Sequence, residues 1–220
     1  MLKSLIEKCL LVCKELVAPP FCFYCKRYGY TRWCAECVAL IKPILATKVV
    51  FDRTYAGYVH AVSAYEDPLK SLIIAKKWSD YTASTYLGQL VWQHSALQRI
   101  PFDYIVPIPL HWSRYAYRGY NQAYGMAQEI SRLSGKPVST CLSRVKRTSS
   151  QAGTPFYKRY SNVQEAFFYD SRIDLQGKVL MLVDDVMTTG STLQAAGKAL
   201  CAARPAALHA VVACRVVEKL

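Results

Sequence analysis

The sequence predicts an α/β fold: a parallel sheet flanked by helices, preceded by a small four-cysteine module. Three observations carry this. Residues 179–183, Val-Leu-Met-Leu-Val, form the uninterrupted apolar run of a strand buried on both faces, and they lead into Asp184, Asp185 and a turn of Thr, Ser and Gly. From residue 49 onward strand-like and helix-like segments alternate, the order that builds a parallel sheet covered on both sides. Finally, Cys22, Cys25, Cys34 and Cys37 make two C-x-x-C pairs separated by eight residues.

Composition sets the outer limits. The chain has 220 residues, of which 52% are hydrophobic, enough for a core and for one or two domains. No run of eighteen or more apolar residues occurs, so a transmembrane helix and membrane insertion are not expected. Residues 1–17 interleave Lys3, Glu7, Lys8, Lys14 and Glu15 with apolar residues, the pattern of an amphipathic helix and not of a signal peptide. A cytoplasmic location follows as the expectation. In that reducing compartment the nine cysteines are not expected to form disulfides.

The elements follow in order. After the first helix, where Cys9 and Cys13 read as packing residues, Pro19-Pro20 opens a module that closes near Pro43. Each C-x-x-C pair can place two thiolates on one metal, and the four together make a closed tetrahedral set, as structural Zn²⁺ requires. An iron–sulfur cluster or paired redox thiols are the rival readings, and a catalytic zinc would need a vacant ligand position. About twenty residues bury no core of their own, so the metal must hold this module together. The boundary is expected at residue 45, with residues 1–45 as helix and metal module and 46–220 as the α/β domain.

Residues 49–64 alternate apolar and polar positions and predict a strand pair turning near Gly57. Residues 67–94 are helical in period, with a break at Lys76, Lys77 and Trp78. Residues 103–110 give a short strand whose pairing must stop at its prolines. A loop at 111–121 leads into a helix to about residue 133, and Gly135-Lys136-Pro137 turns into a strand ending near Arg144. Residues 146–162 are basic and aperiodic, a lid or a disordered loop. The strand at 179–183, a helix at 193–203 and a last strand at 207–217 complete the domain. Cys141, Cys201 and Cys214 are read as packing residues.

Charge points to an anionic partner. The formal net charge is +13, and residues 111–160 hold nine Lys or Arg against the single acid Glu129. A solvated basic face is the bland alternative. Within this segment Tyr115, Tyr117, Tyr120, Tyr157 and Tyr160 interleave with cations, as in single-stranded nucleic-acid binding, for which Arg114, Arg118, Tyr120, Lys158 and Arg159 are the candidates. Arg159 can equally pair with a carboxylate, and Lys76 and Lys77 can simply be solvated. His111 can cap or pack.

The sharpest chemistry lies at residues 184–192. Thr188, Thr189, Gly190, Ser191 and Thr192 aim backbone N–H groups and hydroxyls at one spot, at the positive end of a following helix. That suits a phosphate. Asp184 and Asp185 beside it suit hydroxyl donors or a divalent cation, and the combination fits a ribose 5-phosphate. A helix cap alone needs one such residue, not this set.

The segment resembles the ribose-phosphate signature of type I phosphoribosyltransferases, which bind 5-phosphoribosyl 1-pyrophosphate (PRPP). The resemblance extends to the ComF family of competence proteins. It rests on the C-x-x-C pairs, Asp103-x-Ile-Val-Pro-Ile-Pro-Leu-His111, Arg118-Gly-Tyr-Asn-Gln122, Arg147-Thr148-x-x-Gln151, Arg159-x-x-Asn162 and the Val-Asp-Asp-Val-Met-Thr-Thr-Gly stretch, in that order. Tyr120 departs from the usual phenylalanine, and Lys77-Trp78-Ser79-Asp80 lacks a usual glycine.

By that resemblance the fold is type I phosphoribosyltransferase-like. Asp184 and Asp185 hold the ribose hydroxyls, residues 188–192 the 5-phosphate, and Arg118, Gly119, Lys76 and Lys77 the pyrophosphate with Mg²⁺. Asp184, Asp185 and Arg118 would carry any catalysis. Arg147, Gln151, Lys158 and Arg159 belong to a loop able to close over the site. The resemblance implies a role in DNA uptake beside other competence proteins, with phosphoribosyl transfer as the chemistry of the superfamily. The alternative is a single-stranded DNA binding protein whose PRPP site is regulatory or vestigial.

Overall fold

The computed structural model describes residues 21–29, 33–75, 81–110, 115–116, 119–145 and 166–217. The chain falls into two compact units, Met1–Ile41 and Lys42–Leu220. The helix expected at 1–17, with Cys9 and Cys13, lies outside the described residues.

In the first unit a short antiparallel bridge joins Phe21 to Tyr28, and a five-residue helix α1, Ala35–Ala39, follows Cys34. Each cysteine pair sits at a tight turn: Lys26 N–H donates to the Cys22 carbonyl at 3.0 Å and Cys37 N–H to the Cys34 carbonyl at 3.1 Å.

The second unit is built on a five-stranded sheet in the order β1-β2-β7-β6-β3. Its strands are β1 Thr47–Val50, β2 Ala56–Ala64, β3 Tyr104–Pro107, β6 Val179–Met187 and β7 Ala207–Arg215. Four of them are parallel, as expected, but β1 runs antiparallel to β2. Only five residues connect this pair, and a connection so short can only fold back, since parallel neighbours need a crossover of a dozen residues or more.

The turn of that hairpin is not at Gly57. It spans residues 51–55, where one oxygen of Asp52 accepts from the N–H groups of Thr54 and Tyr55, both at 2.7 Å. Gly57 lies inside β2 and is needed for packing: a Cβ there would fall 1.8 Å from the Leu208 carbonyl oxygen of β7. Strand β6 also runs four residues beyond its apolar stretch, because β7 stays paired with it as far as Met187 opposite Arg215.

Both faces of the sheet are covered. On one face Val59, Val106, Leu180, Leu182, Leu208 and Ala210 join Leu193, Ala196 and Leu200 of helix α5, Ser191–Leu200, in one buried cluster with Phe51 and Phe167. The alternate residues Ile105, Met181, Val183 and Val211 are fully buried on the other face, which contacts helices α3, Tyr81–His94, and α4, Gln122–Ser134. Burial on both sides is why the run at 179–183 is continuous instead of alternating. Helix α2, Leu69–Ala75, precedes α3, and the break expected at Lys76 and Lys77 falls outside the described residues. A separate antiparallel pair, β4 Leu142–Arg144 and β5 Phe167–Tyr169, brackets the basic segment at 146–162, which lies outside the described residues. No helix of the described residues is long and apolar enough to cross a membrane.

Candidate functional site

The C-terminal ends of the parallel strands share a rim, the usual place for ligands in such sheets. A cavity of about 410 Å³ opens there. Its walls are Tyr65 after β2, Ile108, Pro109 and Leu110 after β3, Asp184, Asp185, Val186 and Thr188 of β6 and its turn, Thr192 of α5, Asn121, Gln122 and Ala123 at the start of α4, Ile73 of α2 and Arg144 of β4.

The two carboxylates are both on this cavity, although neighbouring strand residues point to opposite faces. Local bonding accounts for it. Asp184 accepts from the N–H of Asp185 at 2.8 Å, and Asp185 from the N–H of Val186 at 2.7 Å, which folds each side chain forward along the strand. The turn beyond is closed by Gly190 at φ +78°, a left-handed position that favours glycine, and a Cβ there would meet the Met187 methyl carbon at 2.8 Å. Thr189 Oγ1 donates to Ser191 Oγ at 3.0 Å and accepts from the Ser191 N–H at 3.3 Å. Thr189 and Ser191 are thus engaged with one another, while Thr188 and Thr192 face the cavity.

The opposite wall is tied down by Asn121. Its amide donates to the Ile108 carbonyl at 3.0 Å and accepts from the Ala123 N–H at 3.1 Å, capping α4 and joining it to the loop after β3. Gly119 has φ +75°, yet nothing lies within 4 Å of a Cβ built there, so its glycine serves the backbone turn and not close packing. Gly119 is exposed and Tyr120 half-buried, and neither lines the cavity. Lys76, Lys77, His111, Arg114, Arg118, Arg147, Gln151, Lys158 and Arg159 lie outside the described residues.

Besides Asn121, three polar wall residues were not among the sequence-based site candidates. Tyr65 follows β2, and burial first, with Cys214, Asp185 and Asp67 adding, pushes its phenol up, so it stays a hydroxyl donor. Arg144 brings a cation to the wall, its guanidinium carbon 5.2 Å from the centre of the Phe167 ring. Gln122 is buried at the head of α4. The sequence signal for Gln122 was its place in the Arg118-Gly-Tyr-Asn-Gln122 motif; Tyr65 and Arg144 carried none.

A second constellation is in the first unit. The sulfurs of Cys22, Cys25, Cys34 and Cys37 lie within 4.8 Å of one another, and those of Cys25 and Cys34 are 3.7 Å apart. Burial opposes ionisation of Cys22, but N–H groups of Cys34, Cys25 and Tyr24 outweigh it and bring the thiol down to about 6. Cys37 is pushed well up by burial and then by the crowding of Cys34, Cys25 and Cys22. Four thiolates this close repel one another unless a cation sits among them, so the donor set fits a metal ion. Cys141 and Cys214 are buried, and Cys201 donates to the Gly197 carbonyl at 3.2 Å, all in packing positions.

The phosphoribosyl transferase domain family matches residues 116–220. The chain is similar to competence protein F of Haemophilus influenzae, at 30% identity over 85% of this chain and 81% of that protein. It is also similar to the DNA utilization protein YhgH of Escherichia coli K12, at 33% identity over 52% of this chain and 50% of that one. With competence protein ComFC of Bacillus subtilis it shares 31% identity, over 44% of this chain and 37% of the other.

Proposed function

The chain belongs to the competence protein F family, and we propose on that footing that its phosphoribosyltransferase-like domain binds PRPP at the β6 rim. One observation carries the reading: two carboxylates and two threonines, Asp184, Asp185, Thr188 and Thr192, face a single cavity at the head of α5. Carboxylates accept from the ribose hydroxyls, and the turn with the helix end receives the 5-phosphate. Mg²⁺ would be held by hard oxygens, those of the diphosphate and of Asp184 and Asp185, and supplies charge neutralisation when bound. The thiolate set of the first unit suits Zn²⁺ in a closed structural site.

If transfer occurs, an acceptor nitrogen forms a bond to ribose C1 and loses a proton. The C1–oxygen bond breaks with its electron pair leaving on pyrophosphate. Asp184 and Asp185 then stabilise the positive charge that develops on the ribose, and Arg118, with Lys76 or Lys77, the negative charge on the leaving group. The loop containing Arg147, Gln151, Lys158 and Arg159 would exclude water.

Phosphorus NMR of Mg·PRPP with the purified protein, with and without nucleobases, tests this. Line broadening shows binding, and a new pyrophosphate signal shows turnover; sharp, unchanged lines at saturating protein would sink the reading.

Single-stranded DNA binding is a second reading, with PRPP as regulator. It is motivated by the basic segment at 111–160 and by exposed Tyr115 within it. The name of the Escherichia coli relative points the same way. Binding to an oligonucleotide that falls steeply as salt rises is the expected result. No binding at low salt would end it.

A further inference from the structure

Gln122 is the anomaly on the cavity wall. The residue is only 2% exposed, and its amide nitrogen is buried with no hydrogen-bond partner. It nevertheless lines the same cavity as Asp184, Asp185 and Thr188. The adjacent amide, that of Asn121, is used at both ends. The same turn thus holds one amide fully engaged and another with an idle donor. Native proteins rarely keep such a donor in their interior without a use, because burying it unpaired costs stability.

We propose that Gln122 is a ligand-binding residue, its amide donating to an anionic oxygen at the diphosphate end of the bound molecule. The inference rests on the PRPP reading above. The chemistry of the walls selects that end. Asp184 and Asp185 only accept hydrogen bonds, so they take the hydroxyls. The turn at 188–192 takes the single phosphate. Among the remaining walls, the first turn of α4 combines the positive end of a thirteen-residue helix dipole with the Arg144 cation on the same cavity. A diphosphate offers this wall acceptors alone. The terminal torsion of Gln122 is a soft one, so its amide can reorient without moving the helix.

The test uses the full-length chain and two ligands, Mg·PRPP and ribose 5-phosphate, which has the hydroxyls and phosphate but no diphosphate. Gln122→Met keeps the volume and removes the donor. The variant should weaken PRPP about tenfold or more, as loss of a hydrogen bond to a charged group does. Its affinity for ribose 5-phosphate should be unchanged, and its melting temperature without ligand unchanged or higher. Gln122→Glu should weaken PRPP further, by placing a carboxylate against the diphosphate. Equal PRPP affinity in Gln122→Met and the wild type would overturn the proposal. So would an equal loss for both ligands, which would mean that Gln122 merely holds α4 in place. Wild-type protein that binds neither ligand would remove the PRPP reading itself, and the inference with it. Wild-type binding of both ligands that is lost in Asp185→Ala shows that the underlying reading stands whatever Gln122 does.

Discussion

Residues 21–41 bury Cys22, Trp33, Cys37 and Ile41, whereas residues 42–217 bury apolar layers on both faces of a five-stranded sheet. Among its described residues, the first unit brings four sulfurs together. The second positions its carboxylates through many weak contacts spread over seven strands and four helices among the described residues. The difference teaches where each unit is vulnerable. A unit held by a single ion is expected to fail all at once, whereas the sheet is expected to lose stability in increments while its site chemistry can be removed separately.

The largest effect is therefore expected from the metal. Structural zinc contributes on the order of 10 kcal/mol of folding free energy to small four-ligand modules. Chelation, or Cys37→Ser, should release one zinc per chain and abolish the dispersed NMR signals of residues 21–41. Purified protein with no stoichiometric metal by elemental analysis, yet with those signals intact, would break the comparison at its root.

The core of the second unit comes next. Leu182 is fully buried in β6, and Leu182→Ala should cost about 2–5 kcal/mol, through lost burial and the cavity left behind. Urea denaturation reads this directly. A loss below about 1 kcal/mol would mean that the sheet tolerates gaps as the metal unit does not. Three residues further along β6, Asp185→Ala should leave the urea midpoint nearly unchanged but weaken PRPP about 100-fold, by removing hydrogen bonds to a carboxylate worth about 1.5–3 kcal/mol each. Unaltered affinity would disconnect the carboxylate from the ligand.

How much of this was legible in the sequence follows the same division. The cysteine site needed only spacing, because both members of each pair are neighbours in the chain. The phosphate turn was legible for the same reason: Asp184 to Thr192 are contiguous. Gln122 was visible only as part of a motif, and Tyr65 and Arg144 not at all, because these three come from separate parts of the chain and meet only in the folded sheet. The misplaced turn has a specific cause. Gly57 looks like a turn residue, but its small size serves the approach of Leu208, more than 150 positions away and absent from any local pattern. The length of β6 was underestimated because pairing with β7, not hydrophobicity, carries it through the aspartates.

The smallest effect sharpens the comparison inside the second unit, along α4. Its first turn faces the cavity through Gln122, while Glu129, further along, lies off the cavity and is expected to act on stability. Glu129 is buried and accepts from both Arg132, at 2.7 and 2.9 Å, and Gln89 of α3, at 2.9 Å. The Arg132 guanidinium foremost, with Gln89 adding and burial opposing, holds its carboxyl below the ordinary value of 4.5. A depressed carboxyl contributes stability that is whole above the unfolded value and is lost as pH falls through the folded one. Arg132 is largely exposed, so water screens the pair and the contribution is small. Glu129→Gln should accordingly be less stable than wild type at pH 7 and indistinguishable from it at about pH 2. A deficit of the same size at both pH values would show that Glu129 acts by packing against Gly88 and not by charge. Ribose 5-phosphate affinity at pH 7 should be unmoved, since α4 is anchored independently at its other end by Asn121 on the Ile108 carbonyl.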